Sequence, residues 1–358
     1  MNARPTPDTP LAVPSGVVHS GPPALPLSPD LAVALRQALL ALPERPARIA
    51  VAVSGGADSA MLAVHAAAVA RELGIGVSLF HVHHGLQAAA DAWGGQVHAL
   101  GGLLGVPVAE ARVQVEQAAG KGIEAAARDA RYAALAQLAD AHGTRHVLLA
   151  HHRNDQAETV LLRLLRGTGL AGMAAMSAAT QRDGILYLRP WLAQDRAAIL
   201  QAAASVEAAC GWKPVQDPTN ADPRYTRAAV RELLAPVLDG RWPGWRGIVA
   251  RHAGHMAEAA QILDEVARED FARLEPSPDG VSFSLLAWRA LSAARQAHVL
   301  RHWLARNGAR MPTDARLRDL LRQLRELHSL GHDRQLRVEQ AGHVVRCHRG
   351  RVWVEPRG

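Results

Sequence analysis

Residues 54–59 read SGGADS and separate an apolar run from an alanine-rich one. The apolar run, residues 48–53, is predicted to be a buried strand, and Ser59–Leu73 is predicted to be a helix closed by Gly74. A strand that turns directly into a helix presents backbone N–H groups at the helix N-terminus, where the dipole is equivalent to roughly half a positive charge. The turn therefore predicts an anion site in a fold where strands are followed by helices.

The composition of this turn suits a phosphate group. Glycines permit φ > 0 and close approach of a phosphate, and serine hydroxyls donate hydrogen bonds to it. Because the Asp58 carboxylate would repel a phosphate, we expect it to hold a Mg²⁺ ion that bridges the two. The spacing is not the GxxxxGK[ST] of P-loop NTPases, and a plain turn with Asp58 as a helix cap is the alternative. The predicted phosphate-binding residues are Ser54, Gly55, Gly56, Ala57, Asp58 and Ser59.

The alternation of strand and helix continues along the chain and defines the fold class. It predicts an α/β fold with a mostly parallel, doubly wound sheet covered by helices on both faces. Ligands bind beyond the carboxyl ends of the strands in such sheets. Three of these ends carry polar clusters: SGGADS, HVHHG at 81–85 and AHHRNDQAET at 150–159. Further strands are predicted at 76–82, 106–115 and 146–150, and helices at 90–104, at 124–142 and from Asn154 onward.

Positive charge is concentrated in the last third of the chain. Residues 1–220 contain 17 Lys+Arg and 17 Asp+Glu, whereas residues 221–358 contain 23 and 16, which accounts for the whole net charge of +7. This segregation predicts a catalytic body followed by a smaller, mainly helical domain that binds a polyanion. The predicted domain boundaries are 30–236 and 237–358, after a disordered proline-rich tail at 1–29.

The cysteine content and the length of the apolar runs indicate the cellular compartment. Cys210 and Cys347 form neither a CxxC pair nor a disulfide framework, which favours a reducing cytoplasm. No apolar run approaches the ~20 residues that a membrane-spanning helix requires, so no membrane association is predicted.

Two carboxylates follow the strand at 146–150. If a helix begins near Asn154, then Asp155, Glu158 and Thr159 lie at i, i+3 and i+4 and share one face. The two carboxylates would bind a metal or an ammonium group, and an acidic first turn that only caps the helix is the alternative. On the preceding helix, Arg128 and Arg131 are three residues apart, a spacing that is usual for a solvated arginine face.

Histidines cluster at two strand ends. Because cysteine ligands and a helical HxxxH pattern are absent, a zinc site is the less favoured interpretation. We expect His84 and His151 to line a nucleotide pocket instead. The remaining members of the cluster are His81, His83 and His152.

Arginine and aromatic residues also occur together after residue 220. Arg227 and Arg231 are one helical turn apart and follow Tyr225, an arrangement suited to RNA contact. Trp242 and Trp245 are candidates for either base stacking or packing.

Residues 48–236 resemble the tRNA(Ile)-lysidine synthases of the PP-loop ATPase superfamily, and a weaker likeness continues through VVRCHRGRVWV at 344–354. The longest matching block, at 150–176, is the most specific. The chain departs from the family pattern at Asn154, where aspartate is common, and at Ala228, where a polar residue is common. The blocks that carry the resemblance are SGGADS, HVHHGL at 81–86, IEAAARDARY at 123–132, AHHRNDQAETVLLRLLRGTGLAGMAAM at 150–176, RPWL at 189–192 and DPTNADPRYTRAAVRELLAPVL at 217–238.

The resemblance implies a ligase that forms a carbon–nitrogen bond, with ATP and Mg²⁺. ATP would adenylate the 2-oxygen of the cytidine at the first anticodon position of a tRNA-Ile with a CAU anticodon, and free L-lysine would displace AMP. It also implies ATP recognition by Ser54, Gly55, Gly56, Ala57, Asp58, Ser59, His84 and His151; catalytic roles for Asp58, Arg128, Asp155 and Glu158; and tRNA contact by Arg227 and Arg231. No obligate protein partner is expected.

Two alternatives to this function remain at the level of sequence. A PP-loop tRNA thiolase would use the same adenylation, but such enzymes use a cysteine pair or an iron–sulfur cluster. A non-catalytic tRNA-binding module is the alternative from a different class.

Overall fold

A computed structural model describes residues 24–83, 90–113, 123–327, 335–340 and 342–357. His84, predicted to line the nucleotide pocket, lies outside the described residues. Contacts divide the chain into two compact units, Met1–Leu162 with Met176–Ala250 and Arg163–Ala175 with Arg251–Gly358.

Thirteen α-helices and ten strands are present in the described part of the chain. A 3₁₀ turn occupies Pro218–Ala221, and a π-helical turn occupies Val230–Leu234 between two of the helices. The helices are α1 Pro29–Leu40, α2 Ala57–Leu73, α3 Ala90–Leu104, α4 Ile123–Ala141, α5 Arg153–Leu165, α6 Leu170–Met173, α7 Arg196–Cys210, α8 Thr226–Ala229, α9 Ala235–Arg241, α10 Trp245–Arg273, α11 Leu285–Arg289, α12 Ala293–Arg306 and α13 Asp314–Glu326. The strands are β1 Arg48–Ala52, β2 Gly76–His83, β3 Val108–Arg112, β4 His146–Leu148, β5 Ala179–Arg182, β6 Ile185–Leu188, β7 Ser282–Ser284, β8 Leu336–Gln340, β9 His343–His348 and β10 Arg351–Pro356.

The first unit is built on a six-stranded sheet in the order β3-β2-β1-β4-β6-β5. Its strand pairs are parallel except for the antiparallel pair of β5 with β6. The predicted α/β fold with a mostly parallel sheet is confirmed. The chain leaves β1 toward β2 on one side, and β4 pairs with β1 on the other, so strand order reverses at β1. Such a reversal opens a crevice beyond the carboxyl end of the strand, where residues 54–59 lie.

Both faces of this sheet are covered, as expected for parallel strands. Val51 and Leu79 pack on one face in a core with Leu35 of α1 and Met61 of α2. The neighbouring strand residues Ala50 and Phe80 point to the opposite face, where they pack with Tyr132 and Leu135 of α4. Alternation along β1 and β2 thus anchors the strands between two helical layers.

Residues 24–28 belong to the structured part of the chain, although they fall within the predicted tail. Leu25 and Leu27 pack against the first core cluster, and the Ser28 N–H donates to the buried His65 imidazole at 3.0 Å. A few residues later, the Leu31 carbonyl accepts from the Trp191 indole at 3.0 Å.

The second unit combines helices with a four-stranded antiparallel sheet, ordered β7-β10-β9-β8. Its core contains Phe283, Trp288, Trp303, Leu320 and Val352. The helices hold most of its residues, as predicted, but the sequence analysis did not predict the sheet. No described helix in either unit has the length and apolar character needed to span a membrane.

Candidate active site

The loop at 54–59 joins β1 to α2 and depends on glycine at position 55. Gly55 has φ +89°, and a Cβ there would lie 3.0 Å from a methyl carbon of Val215. The Gly55 carbonyl accepts from the Val215 N–H at 2.9 Å, so the loop is held against this segment. Ser59 in the first turn of α2 accepts from the Ser54 N–H and donates to the Gly56 carbonyl, both at 3.1 Å. The loop therefore has a fixed backbone next to the helix N-terminus, as a phosphate site requires.

A cavity of about 480 Å³ opens beside this loop. Its walls come from the ends of β1 and β2, the residues after β4, and α4, which is the strand edge predicted to bind ligand. Gly55, Ala57 and Asp58 of the predicted loop are not among the lining residues. The cavity is lined by Ala52, Val53, Ser54, Gly56, Ser59, Phe80, His81, Val82, His83, Trp93, Arg131, Leu135, Leu149, Ala150, His151, Val215 and Asp217. Its volume lies within the range of about 300–1,000 Å³ that is usual for small-molecule sites.

Asp58 in the first turn of α2 is held by two cationic or polar partners. Its Oδ1 lies 3.3 Å from Arg196 Nε and 3.7 Å from His152 Nε2. Burial raises the pKa of Asp58, but hydrogen bonds and charge from His152 and Arg196 outweigh burial and leave it below the usual value. The carboxylate is therefore ionised at neutral pH. Arg196 was not predicted as a site residue, because it lies on α7, 138 positions away from Asp58.

Asp155 and Glu158 occupy the first turns of α5, where they are 8% and 6% exposed. The expectation that they share one helix face with Thr159 agrees with a common set of partners. Arg231 contacts both carboxylates: its Nε lies 2.6 Å from Glu158 Oε1, and its Nη2 lies 3.2 Å from Asp155 Oδ1. Arg227 Nε lies 3.2 Å from Glu158 Oε2, and Arg227 Nη2 donates to Thr159 Oγ1 at 2.8 Å. The structure thus joins the candidate tRNA-binding arginines to the candidate catalytic carboxylates.

His152 connects these carboxylates to Asp58, which belongs to the loop at 54–59. Its Nε2 lies 3.7 Å from Asp58 and 3.4 Å from Asp155 Oδ2, and its backbone N–H donates to the same Asp155 oxygen at 3.1 Å. With Arg196 and Arg231, the result is a polar network that runs from α2 to α5. His152 was missed as a site residue, although it directly follows His151 at a strand end.

The π-helical turn at 230–234 positions Arg231. It interrupts an otherwise helical segment from α8 to α9, and Arg231 is its second residue. Single π turns inside helices are rare and frequently occur at functional sites.

The two departures from the family pattern lie near this network. Ala228, where the family often has a polar residue, is buried in α8. The side-chain oxygen of Asn154 accepts from the backbone N–H of Arg196 at 3.5 Å.

The two arginines of α4 lie in different environments. Arg131 lines the cavity, whereas Arg128, the preferred candidate in the sequence, is not among the lining residues. The Arg128 guanidinium lies over the Tyr132 ring at 5.4 Å from its centroid. Of these two arginines, Arg131 is the one that reaches the cavity.

Trp245 and Trp242 have different roles in the structure. Trp245 is 5% exposed and packs with Ala157 of α5 and Ala235 of α9. It therefore holds α9, which directly follows the turn that carries Arg231, against α5, which carries Asp155 and Glu158. Trp242 is 55% exposed.

We expect Trp245→Ala to lower the free energy of unfolding by about 3 kcal/mol, as for other large core deletions. The matched change Trp242→Ala should cost less than about 0.5 kcal/mol. Urea denaturation of both variants measures the difference, and equal losses would contradict it.

Two family models match the chain. A model of the PP-loop domain matches residues 29–238, and a model of the TilS substrate binding domain matches residues 283–353. Among solved structures, a U34-tRNA thiolase from Methanococcus maripaludis aligns with a TM-score of 0.54 at 13% identity, over 64% of this chain and 79% of that one. At this identity the likeness shows the fold alone.

Two relatives align with nearly the whole chain. A tRNA(Ile)-lysidine synthase from Bordetella parapertussis is 68% identical over 337 residues, which are 93% of this chain and 98% of the relative. One from Bordetella pertussis is 70% identical over 318 residues, 89% of this chain and 99% of the relative. The PP-loop domain covers more than half of the chain, and these relatives align almost end to end. The chain therefore belongs to the tRNA(Ile)-lysidine synthase family.

Proposed function

We propose that this chain joins the ε-amine of free L-lysine to the 2-position of the cytidine at the first anticodon position of a tRNA-Ile with a CAU anticodon. The reaction consumes ATP, releases AMP and pyrophosphate, and changes decoding from AUG to AUA. The observation that supports it best is the bridge formed by His152, which lies between Asp58 at the phosphate loop and Asp155 beside Glu158. Oxygen activation and amine capture would thus take place side by side.

Adenylation is the first step, because the cytidine oxygen cannot leave unaided. The 2-oxygen attacks the α-phosphorus of ATP, pyrophosphate leaves, and the oxygen becomes part of AMP, which is a good leaving group. Residues 54–59 would hold the phosphates through backbone N–H groups and hydroxyls. Arg131, which lines the cavity, would neutralise charge that develops on the phosphates.

Asp58 fits a Mg²⁺ ion shared with the nucleotide. Magnesium in such sites is bound by one or two carboxylates, phosphate oxygens and water, and Asp58 supplies an ionised carboxylate beside the loop. No group of three or more His, Cys, Asp or Glu side chains suited to a metal occurs among the described residues. Bound there, the ion would offset the charge of the departing pyrophosphate.

Asp155 and Glu158 are the proposed recognition groups for the ammonium groups of lysine. A carboxylate favours the charged form of the amine, yet only the neutral amine attacks, and its free pKa is ~10.4. A proton must therefore leave the amine, and Asp155 or Glu158 is the proposed acceptor. Their burial in the first turns of α5 strengthens the attraction to a cation, because the local dielectric is low.

Arg227 and Arg231 are the proposed tRNA contacts of this region. Their guanidiniums already satisfy Glu158 and Asp155, so contact with a tRNA phosphate would exchange one anionic partner for another. The exchange would expose the carboxylates to lysine when tRNA is present. We assign adenylation to residues 30–236 and binding of the tRNA body to residues 237–358, in a cytoplasmic enzyme without an obligate protein partner.

The cysteines do not favour sulfur transfer as the second step. Burial raises the pKa of the Cys347 thiol to about 11, so it is not a thiolate at neutral pH. Cys210 donates its thiol to the Val206 carbonyl at 3.2 Å, within its own helix. A thiolase function is therefore less well supported than ligation of an amine.

The products of ATP test this proposal. We expect AMP and pyrophosphate in equal amounts when lysine and tRNA with a CAU anticodon are both present; without lysine, adenylation alone would release pyrophosphate but no AMP. Chromatography of labelled nucleotide measures them. Formation of ADP, or AMP formation that requires neither lysine nor tRNA, would contradict the proposed reaction.

Binding of tRNA should depend strongly on salt. Residues 221–358 carry the whole excess of positive charge, and each phosphate that they neutralise releases counterions. We expect the dissociation constant to rise by about 10³-fold between 50 and 200 mM salt if roughly six phosphates are contacted. Filter binding over a salt series measures the slope of tRNA affinity against salt concentration on logarithmic scales. Asp58→Asn is the control and should give the same slope, because Asp58 lies outside residues 221–358. A flat response would remove the basic region from tRNA binding.

A further inference from the structure

Arg189 is a buried arginine whose hydrogen-bond partners are all neutral. It follows β6 and is 5% exposed. One terminal nitrogen donates to the Ser177 carbonyl at 2.9 Å and to Thr180 Oγ1 at 3.0 Å, and the other donates to the Tyr132 hydroxyl at 3.3 Å. These three contacts fix the plane of the guanidinium. The Nε–H group donates to Nδ1 of His151 at 3.2 Å.

The contact between Arg189 and His151 determines the tautomer of His151. A guanidinium nitrogen can only donate, so Nδ1 of His151 must accept. In a neutral imidazole the proton then resides on Nε2. His151 lines the cavity next to the phosphate loop. It therefore brings an N–H donor, and not a basic nitrogen, to the nucleotide site.

The surroundings of His151 also keep it neutral. Burial lowers its pKa, Asp155 of α5 raises it, and the charges of Arg189, Arg131 of α4 and Arg227 of α8 lower it again, to about 3 in all. Three cations thus oppose protonation from different elements. A histidine that is neither protonated nor free at Nδ1 is excluded as a general acid or base near neutral pH.

We propose that Arg189 is a positioning residue that holds His151 as a neutral Nε2–H donor to an oxygen atom of the bound nucleotide. The inference rests on the proposed function for the identity of the ligand. It assigns His151 to binding and leaves proton removal from lysine to Asp155 or Glu158. Arg189 itself is not assigned a contact with substrate, since it is not among the residues that line the cavity and four of its five N–H donors are engaged by protein atoms.

The tautomer can be measured directly on the wild-type protein. In protein labelled with ¹⁵N-histidine, the His151 signals are those absent from His151→Gln. We expect a protonated Nε2 and an unprotonated Nδ1, with no titration between about pH 5 and 8. A proton on Nδ1, or titration within that range, would overturn the inference whether or not any variant folds.

Nucleotide binding provides the second measurement. A non-hydrolysable ATP analogue should shift the Nε2–H resonance of His151, because that proton acquires an acceptor. An unchanged resonance at saturating analogue would refute the assigned role. This readout needs neither lysine nor tRNA. The resonance can therefore stay unchanged although lysine is ligated, or shift although no lysine is ligated, so failure of this inference is distinguishable from failure of the proposed function.

Variants separate positioning from general structural support. In Arg189→Met we expect His151 to lose its fixed tautomer and the KM for ATP to rise about three- to ten-fold, as for one neutral hydrogen bond. Tyr132→Phe removes one acceptor of Arg189 but leaves its Nε–H on His151, so the His151 tautomer should be unchanged. The same tautomer in Arg189→Met as in the wild type would contradict the proposal.

Discussion

Replacement of Asp58 by asparagine is expected to reduce lysine-dependent pyrophosphate release at least about 100-fold, the scale of losing one strong electrostatic contact in a transition state. The amide keeps the shape of the side chain but removes the charge proposed to bind Mg²⁺. Affinity for tRNA should stay within about two-fold, because the basic charge lies in residues 221–358. Pyrophosphate release and filter binding on the same preparation measure both quantities.

Asp140→Asn is the matched control for this change. Asp140 is exposed and also pairs with an arginine, Arg145 at 2.5 Å, but it lies on α4 away from the loop. We expect full activity from it. If Asp58→Asn were as active as this control, the non-catalytic tRNA-binding alternative would be supported and the assignment of the loop would be wrong.

The second large effect is expected at Glu158. Glu158→Gln should raise the KM for lysine about 30-fold, because a charged hydrogen bond to a cation is worth about 2 kcal/mol. The KM for ATP should change less than about two-fold, since Glu158 is not among the residues that line the cavity. Initial rates at varied lysine and at varied ATP measure the two constants separately.

Glu207→Gln is the corresponding control. Glu207 pairs with Lys213 at 3.1 Å at the end of α7 and makes the same kind of contact outside the network. Normal kinetics are expected for it, and thermal denaturation verifies that Glu158→Gln is folded. A normal KM and rate for lysine in folded Glu158→Gln would remove this carboxylate from the amine site.

Local patterns were sufficient to predict strands β1–β4 of the first sheet and the glycine-containing turn that follows β1. Each strand and the helix after it are determined by residues close in sequence. Gly55 indicates a backbone with positive φ, which glycine adopts more readily than other residues. The β5–β6 hairpin was missed, although its turn is Asp183-Gly184 with φ of 51° and 75°. An Asp-Gly pair between two short runs is a known hairpin signal.

The partners of the site residues could not be predicted in the same way. Arg231 is 73 positions from Glu158, and Arg189 is 38 positions from His151. Such contacts depend on how α5, the α8–α9 segment and the end of β6 pack together. Spacing on one helix placed Asp155 and Glu158 together, but it gave no information about the arginines that pair with them. The preference for Arg128 over Arg131 came from the resemblance to the family, because both residues are compatible with the predicted helix.

Transfer of labelled lysine to tRNA is the most direct test of the central claim. The purified chain, ATP, Mg²⁺ and ¹⁴C-lysine are incubated with tRNA-Ile bearing a CAU anticodon, and the tRNA is then digested to nucleosides. We expect one lysine per tRNA, attached to the cytidine at the first anticodon position, and an equal amount of AMP. Active ATP cleavage without label in that nucleoside would contradict it.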